Sequence, residues 1–223
     1  MKALIKQPAG IGDIFFCQKI ANKLRELSYE VVWPVIPEFL WIKDYIEGID
    51  FCLVDTVDES EFDTILPLHQ ADQRYRNMSV MEAKYALVNL RWDNWSDHFN
   101  FKRNKNKEDK LFYDVLKLQD NSEYAFKNFY FASPPHTQIC EAAKRASVGD
   151  LQEICMSNMP EFTLIDWCKV IQNAKEIHTV ETSLNYIIEK IKTTDKLHMY
   201  SKWNPPSYYH VKKLFKKPWT YHE

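Results

Sequence analysis

Two glycines one residue apart, Gly10 and Gly12, stand between a short apolar run and the start of a helical pattern. The chain of 223 residues contains only four glycines, so a pair within one loop is informative. Glycine lets a backbone turn tightly and approach a ligand closely. A helix that begins after such a loop presents free N–H groups and a partial positive charge, which suit a phosphate or an oxyanion. The pair therefore predicts a strand–loop–helix unit of the nucleotide-fold type.

The loop matches neither of two common phosphate-binding patterns. Phe15 occupies the position of the third glycine of G-x-G-x-x-G, and no Gly-Lys-Ser/Thr follows. An ordinary tight turn between a strand and a helix is an equal alternative. Asp13 also has two interpretations, because its carboxylate can act as a general base at the lip of a cleft or can cap the helix.

Short apolar runs and amphipathic stretches alternate along the chain, which favours an α/β protein with a Rossmann-like open sheet. The first strand, helix and second strand predict a parallel pair with a right-handed crossover. Strands are predicted over 2–6, 29–33, 51–54, 64–68, 124–132, 151–156, 176–180 and 197–200, and helices over 14–27, 37–46, 78–90, 111–118, 163–173 and 183–191.

The same alternation predicts two halves. Residues 1–123 form an N-terminal Rossmann-like half with a helical insertion. Residues 124–223 form a smaller C-terminal α/β half, either separate or fused with the first into one compact domain. The run from Arg103 to Lys110 is almost wholly charged or Asn, and we interpret it as a solvated surface.

Charge and cysteine usage exclude several classes of protein. The net charge of −2 offers no basic field for nucleic acid. Five cysteines without a C-x-x-C pair predict reduced thiols in a cytoplasmic protein, and neither cysteine nor histidine spacing predicts a metal site. No signal peptide is expected, and no apolar run is long enough to predict a membrane span.

A second polar cluster follows the predicted strand 176–180 and opens a helix. Thr182 and Ser183 offer hydroxyls and N–H groups to a diphosphate, and Glu181 can accept hydrogen bonds from ribose or sugar hydroxyls. His178 and Asn185 complete the candidate donor-binding set. Open α/β sheets bind ligands at the carboxyl ends of their strands, where this cluster is expected. The alternative is a simple helix cap, with His178 a half-buried, hydrogen-bonded histidine.

These two motifs carry a resemblance to the heptosyltransferase-type glycosyltransferases. The first is Gly10-Ile11-Gly12-Asp13-Ile14, with its helix and the following Tyr29-Glu30-Val31-Val32. The second is Val180-Glu181-Thr182-Ser183-Leu184-Asn185-Tyr186-Ile187, which is similar to the V-D-T-G-L-x-H-L-like turn of that family. The turn departs from the family at three positions, namely Glu181 for Asp, Ser183 for Gly and Tyr186 for His.

The resemblance implies a reduced GT-B glycosyltransferase-like architecture and a hexosyl- or heptosyltransferase activity. The enzyme would move a sugar from a nucleotide-sugar donor, its substrate, to a hydroxyl acceptor without a metal or other cofactor. Asp13 would be the base, and Gly10, Ile11 and Gly12 would border the acceptor. The turn from His178 to Asn185 would hold the donor, so that Gly12 and Thr182 are expected to face one cleft.

Two alternatives share this scaffold. One is a nucleotide- or sugar-binding protein that has lost catalysis, and the other is an interaction protein whose working surface is the aromatic C-terminal tail. Trp92, Trp95 and His98 are spaced to share a helix face, either as a sugar platform or as core packing. The sequence leaves the donor, the acceptor and the oligomeric state open.

Overall fold

The computed structural model describes residues 1–71, 78–132, 137–203 and 211–222. The chain forms two compact units, which divide after Lys102. The sequence placed this boundary after residue 123. Residues 103–123 instead belong to the second unit, because the helix Lys105–Asp109 packs on Leu164–Trp167 and Cys168–Asn173.

The first unit contains a four-stranded parallel sheet in the order β3-β2-β1-β4. Leu4 in the central strand pairs with Val32 on one side and with Ile65 on the other. The predicted parallel α/β unit is thereby confirmed. Its strands are β1 (Lys2–Ile5), β2 (Glu30–Val35), β3 (Asp50–Leu53) and β4 (Thr64–Leu66).

The helix predicted over 14–27 is two helices that meet at Cys17. They turn buried side chains such as Phe15 and Ile20 into the core. The helix predicted over 78–90 begins with a capping box formed by Ser79 and Glu82. The α-helices of this unit are α1 (Ile11–Phe16), α2 (Gln18–Glu26), α3 (Val80–Leu87) and α4 (Trp95–His98). Its 3-10 helices are Pro37–Asp44, Val54–Thr56, Glu59–Glu61 and Leu68–Gln70.

Trp95 belongs to the core of the first unit and not to a sugar platform. Its ring is buried and lies 5.7 Å from the ring of Phe16 and 6.1 Å from that of Phe99. Aromatic pairs at such separations add to the stability that burial provides. The core-packing interpretation is therefore confirmed for Trp95, whereas Trp92 precedes the helix and His98 is only partly buried.

The second unit contains a five-stranded parallel sheet in the order β11-β10-β9-β5-β8 and a two-stranded antiparallel ribbon, β6-β7. The strand predicted over 124–132 is broken at Phe129, and β11 in the C-terminal tail was not predicted. The strands are β5 (Tyr124–Asn128), β6 (Tyr130–Phe131), β7 (Gln138–Ile139), β8 (Gln152–Cys155), β9 (Glu176–Val180), β10 (Leu197–Tyr200) and β11 (Trp219–His222).

The helices of the second unit are short, and Thr163 and Asp166 form a capping box where the sequence predicted a helix start. The α-helices are α5 (Lys105–Asp109), α6 (Glu141–Arg145), α7 (Cys168–Asn173) and α8 (Leu184–Lys190). Lys110–Val115 is a π-helix, and Leu164–Trp167 and Lys212–Leu214 are 3-10 helices.

The charged run that begins at Arg103 is not wholly a solvated surface. The Glu108 side chain is only 2% exposed, and both of its oxygens bind the guanidinium of Arg103. This paired arrangement offsets the cost of burying the carboxylate. Among the described residues, no helix has both the length and the apolar character needed to cross a bilayer.

The loop between β1 and α1 depends on the conformation of Gly10. Its φ of 86° lies in the left-handed region, and the next residue begins the helix. The Asp13 side chain folds back toward it, so that a Cβ at Gly10 would stand 2.1 Å from Asp13 Oδ2. Glycine is therefore favoured here by the backbone conformation, and a Cβ at this position would displace the Asp13 carboxylate.

Gly10→Ala should lower the free energy of unfolding more than the control, Gly149→Ala. Both glycines have positive φ, at 86° and 62°, so each substitution costs about 1–2 kcal/mol of backbone strain. Only Gly10 adds a clash, because a Cβ at Gly149 would meet nothing within 4 Å. Urea unfolding measures both variants, and equal losses would contradict the close approach of Asp13.

Candidate functional site

Asp13 is the third residue of α1 and does not cap the helix. The N-cap is Gly10, whose carbonyl accepts from the Asp13 N–H at 2.9 Å. A carboxylate in the first helical turn is stabilised by the positive end of the helix dipole. Asp13 is thus not the N-cap residue that the sequence allowed, and its side chain, 23% exposed, turns back toward Gly10.

Lys84 on α3 holds the Asp13 carboxylate. Its side chain is only 3% exposed, and Nζ lies 3.3 Å from Asp13 Oδ1. The same ammonium donates to Gln7 Oε1 at 2.5 Å and to the Leu68 carbonyl at 3.1 Å. One buried cation therefore joins the segment after β1, the start of α1 and the segment after β4.

Gln7 fixes the strand side of the loop. Its side-chain Nε2 donates to the Ala9 carbonyl at 2.5 Å, and its backbone carbonyl accepts from the Trp33 indole at 3.0 Å. Ile11 and Gly12, the first two helical residues, are partly exposed. The loop is thus held from beneath while its outer side is accessible.

Cys17 contributes no reactive thiolate beside this loop. The residue is completely buried, and burial raises the pKa of its thiol far above the ordinary value. A thiol held neutral is a poor nucleophile. Asp13 is therefore the better candidate for chemistry at the amino end of α1.

The second candidate motif is a tight turn between β9 and α8. The Thr182 N–H donates to Asn185 Oδ1 at 2.6 Å, and the Asn185 N–H donates to the Thr182 carbonyl at 3.1 Å. Thr182 Oγ1 accepts from Asn128 Nδ2 at 3.3 Å. Ser183 is the N-cap of α8, and its side chain makes no capping hydrogen bond. The turn follows the carboxyl end of a central strand, as the sequence predicted.

Asn185 is fully buried, and within the described part of the chain its Nδ2 has no hydrogen-bond partner. An unpaired buried donor costs free energy unless a ligand or water satisfies it. Glu181 lies on the same turn, and its Oε1 is 3.9 Å from Lys202 Nζ. Lys202 is a cation that the sequence analysis did not single out.

His178 lies within β9, before the turn that carries the other predicted donor-binding residues. Its side chain is 3% exposed, with Nε2 at 2.8 Å from Glu176 Oε1 and Nδ1 at 2.9 Å from the Tyr200 hydroxyl. Burial lowers the pKa of His178, which favours a neutral ring. The hydrogen-bonded histidine, the simpler of the two interpretations, describes this residue.

No protein-family model matches the sequence, and no curated protein matches it either. Among solved structures, the chain is similar to the glycosyl transferase family 9 from Veillonella parvula DSM 2008. The TM-score is 0.58 with 9% identity, over 100% of this chain and 85% of that one. It is also similar to the iron-containing dodecameric glycosyltransferase TibC from enterotoxigenic E. coli H10407. That TM-score is 0.54 with 6% identity, over 100% of this chain and 62% of TibC.

The chain has a GT-B fold like that of these glycosyltransferases. At identities this low, the likeness establishes the fold alone. The predicted fold class, an α/β protein of Rossmann-like open sheets on a reduced GT-B architecture, is confirmed. The assignment of individual site residues stays a prediction.

The pair of Lys84 and Asp13 should be energetically coupled. In a double-mutant cycle of Lys84→Met and Asp13→Asn, we expect a coupling free energy of at least ~1 kcal/mol, because Lys84 is buried. The exposed pair of Lys23 and Glu26 is the matched control, with an expected coupling of about 0.5 kcal/mol or less. Urea unfolding of each variant measures both values, and similar couplings would show that Lys84 does not hold Asp13.

Proposed function

We propose that this protein is a glycosyltransferase that moves a sugar from a nucleotide-sugar donor to a hydroxyl acceptor. The proposed base, Asp13, belongs to the first unit, and the proposed donor-binding turn belongs to the second. The proposal includes a metal-independent reaction and a hexosyl or heptosyl donor. It is supported by the fold shared with solved glycosyltransferases and by the two motifs that follow strands of parallel sheets.

One observation carries the proposal, namely the fixed position of the Asp13 carboxylate. It stands in the first turn of α1, next to a glycine loop, and is held by a buried ammonium while part of its surface is accessible. A general base needs this combination of a fixed position and access to the acceptor. A carboxylate that served only the fold would not require an accessible face.

In the proposed step, Asp13 takes the proton of the acceptor hydroxyl. The acceptor oxygen forms a bond with the anomeric carbon of the donor sugar as the bond from that carbon to the diphosphate breaks. The electron pair of the broken bond leaves with the nucleoside diphosphate. We propose that Lys202 offsets the negative charge of the departing diphosphate. Its ammonium lies near the side chain of Glu181, which is on the donor turn.

On the donor side, the turn offers groups that match a diphosphate and a sugar. Ser183 has a hydroxyl that does not cap its own helix, and Asn185 has a buried Nδ2 without a partner among the described residues. Thr182 is held in place by Asn128. We propose that Thr182, Ser183 and Asn185 donate to the donor, and that Glu181 accepts from its hydroxyls.

A thermal-shift screen of nucleotides and nucleotide sugars tests the proposal first, because a ligand that binds only the folded state raises the melting temperature. Incubation of the stabilising donor with sugar acceptors then tests transfer by mass spectrometry. Binding without transfer or donor hydrolysis would favour the binding-protein alternative. No binding of any nucleotide sugar would favour an interaction protein.

Asp13→Asn should lower kcat by ~10²–10⁴-fold, because an amide cannot accept the proton. Donor affinity, measured by calorimetry on the same protein, should be nearly unchanged, and this also shows that the variant is folded. An Asp13→Asn protein with wild-type kcat would remove Asp13 from the catalytic role.

Thr182→Val should weaken donor binding by about 1–3 kcal/mol, the worth of one or two buried hydrogen bonds. Thr56→Val is the matched control, because Thr56 is exposed, lies in the first unit and donates its hydroxyl to the Leu53 carbonyl. Calorimetric titration of the donor compares the two variants. If the two variants bound the donor with equal affinity, Thr182 would not be part of the donor site.

A further inference from the structure

A cluster of one carboxylate and three imidazoles lies on one face of the second sheet. Glu176 Oε1 is 2.8 Å from His178 Nε2 and 3.3 Å from His198 Nε2. His198 Nδ1 is 2.9 Å from His222 Nε2. The candidate turn after β9 involves none of these side chains, so the cluster needs its own explanation.

The parallel register of β9, β10 and β11 brings these residues together. Glu176 and His178 are two positions apart on β9, so both point to the same face of the sheet. His178 pairs with His198 across β9 and β10, and Tyr200 pairs with His222 across β10 and β11. No linear motif encodes such a set, which is why histidine spacing predicted no metal site.

We propose that Glu176, His178 and His198 bind one divalent transition-metal ion. The three ligand atoms lie within 4.8 Å of one another. Two ligand atoms at 2.0–2.1 Å from a tetrahedral metal are about 3.3 Å apart, which is close to the two distances from Glu176 Oε1. Two imidazoles and one carboxylate form a ligand set typical of Zn²⁺ or Fe²⁺, whereas Mg²⁺ prefers oxygen ligands alone.

Both histidine ligands have a second partner that can orient them. With Nε2 on the metal, the Nδ1–H of His178 donates to the Tyr200 hydroxyl and that of His198 donates to His222 Nε2. Metal-bound histidines commonly donate their other N–H in this way, and such partners raise metal affinity. Tyr200 and His222 therefore supply the hydrogen bonds that hold the two histidine ligands in orientation.

Metal binding depends on the solvent exposure of the ligands, the orientation of their rings and the charges nearby. The side chains of Glu176 and His198 are 17% and 22% exposed, so an ion can enter from this face of the sheet. The two rings are stacked, with centroids 4.5 Å apart and planes 8° apart, and they must turn about their Cβ–Cγ bonds to aim both nitrogens at one ion. Nearby Lys127 is neutralised by an ion pair with Glu153, so its charge opposes the cation only in part.

The site is distinct from the proposed donor turn. His178 is the proposed ligand nearest to the turn in sequence, and it lies three residues before Glu181, which at about 3.3 Å per residue is roughly 10 Å. The ion would link β9 to β10 and stabilise the second unit without touching the sugar donor. The inference therefore stands or falls independently of the proposed glycosyl transfer.

Calorimetric titration of the untagged full chain with Zn²⁺, and with Fe²⁺ under anaerobic conditions, tests the proposal. We expect one ion per chain for at least one of these metals and a higher melting temperature, with no such effect from Mg²⁺. The ion that binds with the higher affinity, Zn²⁺ or Fe²⁺, identifies the metal class. Absence of stoichiometric binding of both Zn²⁺ and Fe²⁺ would overturn the proposal.

Variants assign the ion to this cluster. Glu176→Gln and His198→Gln should each weaken metal binding at least ~100-fold, and Tyr200→Phe should weaken it by ~10–100-fold as a partner of His178. His98→Gln, a histidine of the first unit, is the control and should bind as the wild type does. Far-ultraviolet circular dichroism confirms folding, and undiminished binding by Glu176→Gln and His198→Gln would show that the ion lies elsewhere.

Discussion

The buried ammonium of Lys84 is the interaction on which the first unit depends. A buried charge is costly unless it is paired and hydrogen-bonded, and here the partners come from Asp13, Gln7 and the Leu68 carbonyl. Satisfying this one cation fixes the loop after β1 against the start of α1. The carboxylate that we propose for catalysis is thus held by the same contacts that stabilise the fold, so that position and stability are coupled at Asp13.

A second buried lysine has a comparable role in the other sheet. Lys127 on β5 is 2% exposed, and its Nζ donates to the Lys144 and Ala146 carbonyls and to Glu153, at 2.8, 2.9 and 3.0 Å. It joins β5 to β8 and to the end of α6. In each unit a lysine inside a parallel α/β layer ties loops to the sheet, and the polar groups left at the strand ends are available for ligands.

Local patterns were sufficient for most elements and for the fold class. Alternating apolar runs predicted the parallel strands, and Thr163 predicted a helix start that the structure shows as a capping box. They were insufficient where a residue's role depends on a distant partner. His178 has the spacing of a site residue, but its ring is occupied by Glu176 and Tyr200. Aspartate is a residue type that often caps helices, but Asp13 does not hold the N-cap position. The helix begins earlier, because Gly10 adopts a left-handed conformation.

The sequence by itself determined the α/β alternation, the glycine loop before α1 and the polar turn after β9, because these follow from the periodicity and backbone preferences of neighbouring residues. Only the tertiary structure decided which side chains share a site. Lys84 meets Asp13 across 71 positions of chain, and His198 meets His178 through the register of two strands. Such contacts are set by packing and strand pairing between distant segments, which no local pattern records.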